Sequence, residues 1–121
     1  MSSNNKNSII LIWREPVSRR DFQIGELSRN NRYEFEYKFE RLEAKRNGFF
    51  NLLSFPEDSG KYVSEKLFPV FLSRLPDKKR RDINKILEKY GMTEYDDFEL
   101  LKRGKAQLPI DNLRFADPNA L

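Results

Sequence analysis

The segment that decides the fold is RYEFEYKF, residues 32–39. Its aromatic side chains, Tyr33, Phe35, Tyr37 and Phe39, alternate with charged ones. Because successive side chains of a β-strand point to opposite faces, this period of two places the rings on one sheet face and the charges on the other. Rings in a row could also stack the bases of a single-stranded nucleic acid. A domain this small needs them to exclude water, so we predict a half-buried strand whose rings belong to the core.

Further strands are predicted on both sides of this segment. Residues 8–13 (SIILIW) form an apolar, β-branched run that indicates a buried central strand. An antiparallel hairpin is expected over about 22–39, with its turn at residues 29–31. Gly25 lies in the first arm of this hairpin and predicts a bulge or a close backbone approach. The apolar run at residues 49–55 (FFNLLSF) predicts one more strand.

From Leu67 onward the apolar period becomes helical. One helix is expected over residues 67–75, with Pro69 in its first turn. A second is expected from about Asp77 to Tyr90, followed by Gly91 at the C′ position. Thr93–Asp96 resembles a capping box and predicts a short third helix that ends near residue 103.

These patterns predict an α+β domain: a small bent antiparallel sheet or partly closed barrel, covered by two or three helices from the C-terminal half. We expect a disordered N-terminal tail over residues 1–7, the domain itself over residues 8–108, and an extended C-terminal arm over residues 109–121. The length of 121 residues leaves no room for a second domain with its own core.

Composition narrows the possible functions. The chain contains no histidine and no cysteine, which removes disulfides, thiolate nucleophiles, imidazole bases and nearly every zinc, copper or haem site. Its five glycines are scattered singly, so it has no glycine-rich phosphate loop. It has no apolar run of membrane-spanning length. The polar residues 1–7 include no apolar h-region, so we do not expect a secretory signal. We therefore expect a cytoplasmic protein that binds a partner, uses no cofactor or metal, contacts no membrane and catalyses no reaction; its oligomeric state is left open.

The formal net charge of +4 is compatible with an acidic partner but does not diagnose one. The basic run Lys78-Lys79-Arg80-Arg81 carries more information. In the first turn of the predicted second helix, these four cations oppose the helix dipole. Either they extend into water and pair with Asp77 and Asp82, or they contact an acidic protein face or a phosphate backbone.

The order of the motifs resembles that of a known family. Strands containing IGEL (residues 24–27) precede LFPVFLSRLPD (67–77), a basic helix that ends in KYG (89–91), and DFELL (97–101). In this order the chain, over about residues 9–108, is similar to the N-terminal subdomain of HipA-type serine/threonine kinases. Members of that family usually continue into a kinase core of several hundred residues. No ATP site, catalytic aspartate or metal ligand of that core can be carried over to this chain.

The resemblance implies a module that docks on a HipA-type kinase core. The module is either an antitoxin-type inhibitor in a split toxin–antitoxin system or the subunit that completes the kinase; related modules also precede HIRAN domains. A single apolar helix stripe leaves one of the nearby rings available for a partner pocket. The candidate partner-binding residues are Tyr62, Phe68, Phe71, Arg74, Lys78, Lys79, Arg80 and Arg81.

The alternative is a nucleic-acid-binding accessory module. It would use Lys78–Arg81 together with further basic residues: Arg19, Arg20, Lys102, Arg103 and Lys105. A nucleic-acid mimic that inhibits a nuclease is disfavoured, because such a mimic needs a net negative charge.

Overall fold

The computed structural model describes residues 7–38, 40–104 and 112–120. Its strands are β1 (Ser8–Arg14), β2 (Asp21–Arg29), β3 (Tyr33–Tyr37), β4 (Tyr62–Ser64) and β5 (Leu113–Ala116). Its helices are α1 (Glu40–Arg46), α2 (Pro69–Leu72), α3 (Ile83–Lys89) and α4 (Asp97–Gly104), with a 3-10 turn at Pro118–Ala120. The strands form one antiparallel sheet in the order β4-β3-β2-β1-β5. The α+β class is confirmed, and the sheet is open, with β4 and β5 at its edges.

The predicted alternation in residues 32–39 is confirmed along β3. Tyr33 and Phe35 are buried, Tyr37 is half-buried, and Glu36 between them is exposed. The Phe35 ring stacks on Phe55, with ring centroids 4.4 Å apart. The strand ends at Tyr37, and Phe39 lies outside the described residues.

The prediction of a bulge or close approach at Gly25 is also confirmed. The register between β1 and β2 shifts between Leu11 and Ile12, opposite Ile24. A Cβ atom on Gly25 would lie 2.5 Å from Cζ of Phe35. The aromatic ring therefore occupies the space that any other residue would need at this position.

The strand predicted over residues 49–55 is wrong. Phe49 and Phe55 are buried at the two ends of this segment, but the backbone between them runs as a loop. The Tyr37 hydroxyl accepts a hydrogen bond from the Leu52 N–H at 2.9 Å and donates one to the Phe55 carbonyl at 2.7 Å. A tertiary side-chain contact thus satisfies backbone groups that a strand would have paired with a neighbour.

The helices begin later than the sequence pattern indicated. Pro69 occupies the first turn of α2, as predicted. The second predicted helix, α3, begins at Ile83 rather than near Asp77, and Gly91 follows it with φ of 73°. The N-terminus of α4 is capped by Asp96, whose side chain accepts the Glu99 N–H at 3.2 Å, and not by the box predicted at Thr93–Asp96.

Strand β1 is buried at six consecutive residues, so both of its faces are covered. The main hydrophobic core includes residues of α1, α2 and α4. It contains Trp13, whose ring lies 5.9 Å from Phe22 and 5.6 Å from Phe49. Within the segment for which we expected an extended arm, residues 113–116 form β5 and pair with β1. Apart from Asn7, the expected N-terminal tail lies outside the described residues. Among the helices that the structure describes, none has the length and apolar character needed to cross a membrane.

Candidate partner-binding surface

Two of the predicted partner-binding residues lie in the core. Phe71 is 1% exposed and Phe68 is 9% exposed. The Phe71 ring contacts Phe115 at 5.1 Å and Phe35 at 5.5 Å between ring centroids. The Phe68 ring meets Phe55 edge-on at 5.1 Å. Both rings therefore belong to the core. Of the three rings considered for a partner pocket, Tyr62, Phe68 and Phe71, only Tyr62 is not buried.

Tyr62 and Arg74 are half-buried and make contacts within the domain. The Tyr62 hydroxyl accepts the Glu57 N–H at 2.7 Å. The Arg74 guanidinium donates to the carbonyl of Leu113 at 2.9 Å, which ties the segment after α2 to β5. These two side chains hold neighbouring segments in place, and each keeps part of its surface open to solvent.

The basic run Lys78–Arg81 forms an exposed turn before α3, which we call the basic turn. Its conformation is set by Asp77, whose carboxylate accepts the Lys79 N–H at 2.8 Å and whose carbonyl accepts the Arg80 N–H at 3.1 Å. Because the run precedes the helix, the prediction that these cations oppose the dipole within the first helical turn is wrong. The Asp77 side chain offers the backbone a turn in place of helical hydrogen bonds.

The four cations of the basic turn differ in their contacts. Arg80 forms a bidentate ion pair with Asp82, with both N–O distances at 2.9 Å, and this hydrogen bonding lowers the pKa of the Asp82 carboxyl. The Lys78 ammonium lies 6.0 Å from the centre of the Tyr95 ring. Lys79 and Arg81 form no ion pair with any residue that the structure describes. The sequence left open whether these cations pair within the chain. Among the described residues, Arg80 alone of the four forms an ion pair.

The basic turn forms one rim of a surface groove of about 720 Å³, which we call the α2–α4 groove. The groove is lined by Arg29, Leu72, Ser73, Leu75, Pro76, Asp77, Lys78, Lys79, Tyr95, Asp96 and Asp97. The Tyr95 hydroxyl donates to the Pro76 carbonyl at 2.8 Å, which joins the two sides of the groove. The groove thus has an apolar wall, an acidic side and a basic rim.

The acidic side of the groove is neutralised by Arg29. Its guanidinium holds Asp96 with two hydrogen bonds of 2.8 and 3.1 Å and lies 4.9 Å from the centre of the Phe98 ring. Burial favours the neutral form of Asp96, but the hydrogen bonds from Arg29 and from the Glu99 N–H outweigh it, so the pKa of Asp96 is lowered. The groove therefore contains a preformed ion pair, and the carboxylate of Asp96 is not left without a positive partner.

A buried tyrosine extends this network. The Tyr33 hydroxyl donates to the Asp97 carboxylate and accepts from Arg29 at 3.4 Å. Burial and the hydrogen bond to Asp97 raise the pKa of Tyr33 to about 12. Strand β3 and the start of α4 are thereby held together beneath the groove.

Of the further basic residues of the nucleic-acid alternative, Arg19 and Arg20 lie far from the groove that the basic turn borders. Arg19 and Arg20 precede Asp21 at the start of β2, whereas Arg29, which lines the groove, ends the same strand. At about 3.3 Å per residue, these ends are roughly 26 Å apart. Arg103 is engaged by Glu99 and by the carbonyls of Tyr90 and Gly91. Lys102 is half-buried, and Lys105 lies outside the described residues.

Sequence reasoning missed Arg29, Tyr95 and Asp96 as parts of this surface. Arg29 and Asp96 are 67 residues apart, and nothing local to either residue indicates that they pair. Tyr95 and Asp96 belong to the capping-box pattern predicted at Thr93–Asp96, which indicates the start of a helix but not a groove. No group of three acidic side chains suited to a metal ion occurs within residues 7–38, 40–104 and 112–120.

Fold and surface together define an open-sheet α+β domain with a compensated groove between two helices. Residues 16–108 match the family model described as the HipA N-terminal domain. The chain belongs to this family, as its motif order indicated, and the family is a subdomain of HipA proteins rather than their catalytic kinase core. Comparison with curated proteins and with solved structures finds no significant match.

Proposed function

We propose that this domain binds and regulates a HipA-type kinase core and catalyses no reaction of its own. The observation that carries the proposal is the family match over residues 16–108, which assigns most of the chain to a subdomain that accompanies such a core. The domain acts either as an antitoxin-type inhibitor or as the subunit that completes a split kinase in a toxin–antitoxin system.

The α2–α4 groove supports the proposal as a docking site. Leu72 and Leu75 give it an apolar wall, and the exposed cations Lys78 and Lys79 stand at its rim. Protein interfaces combine an apolar centre with a polar rim in this way. The groove is framed by ordered hydrogen bonds, so a partner segment would enter a site that needs little rearrangement.

The test is a kinase assay with a purified HipA-type core from the same organism, chosen from a gene beside that of this chain where the genome has one. We expect the domain to co-purify with this core and to change its autophosphorylation rate; a fall identifies an inhibitor and a rise identifies a completing subunit. A core that neither co-purifies with the domain nor changes activity in its presence contradicts the proposal.

Charge-removing variants test the role of the basic rim. Lys79→Ser combined with Arg81→Ser should weaken binding to the core a few-fold to about tenfold at low salt, with a smaller effect at high salt. The matched control is Arg19→Asn with Arg20→Ser, which removes the same charge at the opposite end of β2. Equal losses in the two double variants would show that the position of the basic turn is irrelevant.

Binding to nucleic acid is the second candidate function. It is favoured by Lys79 and Arg81, the two cations of the basic turn that form neither an ion pair nor a ring contact with any residue that the structure describes. In that case the domain binds DNA with an affinity that falls steeply as salt rises, and the Lys79→Ser, Arg81→Ser variant reduces the slope by about 2. Absence of DNA binding at low salt eliminates this candidate.

A further inference from the structure

A loop on the domain surface exposes two large apolar side chains. Phe50 is 82% exposed and Leu53 is 99% exposed, although both lie between Phe49 and Phe55, which are buried in the core. We call residues 49–58 the Phe50 loop. A single exposed apolar residue is ordinary on a protein surface. Two of them on one short loop form a larger apolar surface, which is typical of a site that contacts another molecule.

The Phe50 loop is pinned at several points. The Tyr37 hydroxyl bridges the Leu52 N–H and the Phe55 carbonyl. The Asn51 side chain donates to the Pro56 carbonyl at 3.0 Å and to the Asp58 carboxylate at 2.6 Å. These contacts fix the backbone on both sides of Leu53, so its side chain and that of Phe50 are held out in water by an ordered loop.

A buried arginine completes the support of the loop. Arg41 of α1 is 4% exposed; it donates to the Asn51 side chain at 3.3 Å and pairs with Asp58 at 3.3 Å. Its guanidinium also lies 5.6 Å from the centre of the Tyr37 ring. A buried charge is costly unless it is paired. The contacts of Arg41 therefore favour the loop conformation that keeps Asn51 and Asp58 beside α1. Preorganisation of this kind strengthens binding by lowering the entropy lost when a partner docks.

The two apolar side chains can enter one site on a partner. Three residues of chain reach at most about 11 Å, so Phe50 and Leu53 lie close enough to share a cleft. The Phe50 loop is also joined to Tyr62, a candidate partner residue, through the hydrogen bond between Glu57 and the Tyr62 hydroxyl. The loop therefore lies beside one of the candidate partner-binding residues.

The surroundings of the loop select a protein as the occupant. Glu57 and Asp58 lie on the loop itself, and Lys45 of α1 is close enough to Asp58 to lower the pKa of its carboxyl, after the larger effect of the hydrogen bond from Asn51. Charges of both signs fit the polar rim of a protein interface, whereas an anionic membrane selects basic residues. Phe50 offers about 150–250 Å² of surface, and with Leu53 it falls well short of the roughly 800 Å² per partner of a stable protein interface. The two side chains therefore fit the role of an anchor within a larger interface that includes other surfaces of the domain.

We propose that Phe50 and Leu53 are the apolar anchor of this domain in its complex with the HipA-type kinase core, inserted into an apolar cleft of that core. This inference rests on the proposed function and names a contact that the function itself does not require. Anchors of this type carry much of the affinity of a protein interface, while the contacts around them exclude water.

The test compares one double variant and one single variant in calorimetric titrations with the kinase core. Phe50→Ser with Leu53→Ser should weaken binding by about 30-fold or more. Val17→Ser, which changes an equally exposed apolar residue (89%) in the turn before β2, should leave the affinity within about threefold of the unchanged domain. Urea unfolding midpoints close to that of the unchanged domain verify that both variants fold.

Several results would overturn the inference. If the unchanged domain binds the core and the Phe50→Ser, Leu53→Ser variant binds within threefold of it, the anchor is refuted while the proposed function stands. An equal loss in Val17→Ser refutes it as well. If the unchanged domain is a dimer in light scattering and the double variant is a monomer, the loop serves self-association and the inference is refuted. If the unchanged domain binds vesicles of phosphatidylserine and phosphatidylcholine and the double variant does not, the loop serves membrane binding and the inference is also refuted. If the unchanged domain does not bind the core at all, both proposals fail.

Discussion

A substitution of Phe71 tests whether this ring serves the core or a partner. The sequence allows either role, and the structure places the ring in the core. It is 1% exposed and lies 5.1 to 6.2 Å, between ring centroids, from four other rings. These rings are Phe35, Phe55, Phe68 and Phe115. They come from two strands, a loop and the residue that precedes α2, so they cannot all move inward to fill the space that Phe71→Ala would leave.

We therefore expect Phe71→Ala to lower the free energy of unfolding by about 3–5 kcal/mol, which combines the lost transfer free energy with the cavity term. Aromatic pairs contribute about 0.5–1.5 kcal/mol each beyond the burial of area, which favours the upper half of that range. For a domain of this size, the midpoint of thermal unfolding should fall by roughly 10–20 °C.

The assay is urea unfolding followed by the fluorescence of Trp13, the only tryptophan, which is buried against Phe22 and Phe49. Lys79→Ser, in the exposed basic turn, is the control and should change the free energy of unfolding by no more than about 0.5 kcal/mol. A loss below about 1 kcal/mol for Phe71→Ala, together with loss of kinase binding, would refute the assignment of this ring to the core.

Three further predictions concern the sheet and its ion pairs. Gly25→Ala should lower the free energy of unfolding by about 1–3 kcal/mol, because its Cβ would overlap the Phe35 ring; thermal unfolding measures the loss, and an unchanged midpoint would contradict the close approach. Burial raises the pKa of Tyr33 to about 12, so its neutral form stabilises the folded state below about pH 10 and this stability is lost as pH rises toward 12; Tyr33→Phe should flatten the alkaline part of the pH–stability curve. The hydrogen bond from Arg14 holds the pKa of Asp21 well below its usual range, so its contribution is present above about pH 4 and lost as pH falls. Asp21→Asn should therefore be less stable than the unchanged domain by roughly 1 kcal/mol at pH 7 after screening by solvent, with a difference that shrinks toward pH 2; a constant difference across this range would contradict the assignment.

Local patterns predicted the parts of the fold that local physics decides. The alternation around Phe35 identified β3, because a period of two buries one face of a strand wherever a core is present. Gly25 marked the place where a ring crosses the backbone, and Gly91 marked the end of α3. Each of these signals depends on the conformational limits of the residue itself and its immediate neighbours.

Long-range contacts explain what the sequence did not reveal. The run at residues 49–55 has the composition of a strand, but the hydroxyl of Tyr37 takes up its backbone groups, and nothing in the run indicates this. The basic run has a helical period around it, yet Asp77 diverts the backbone into a turn. The α2–α4 groove depends on the pairing of Arg29 with Asp96, residues that are distant in sequence.

The groove is therefore visible only in the folded structure, whereas the family can be recognised from the sequence. The order of short motifs was enough to indicate the HipA N-terminal domain, and the family match confirms it. The predicted partner-binding residues include rings beside one helix stripe and the cations of the basic run. Lys78 and Lys79 lie exposed at the rim of the groove, whereas Phe68 and Phe71 are part of the core.

The central claim is that this domain binds a HipA-type kinase core, and isothermal titration of the domain into the purified core tests it most directly. The account predicts saturable binding with one domain per core and an affinity that decreases when the basic turn loses Lys79 and Arg81. No measurable heat at two temperatures and protein concentrations of about 100 μM, with both proteins folded, would mean a dissociation constant too weak for regulation and would contradict the account.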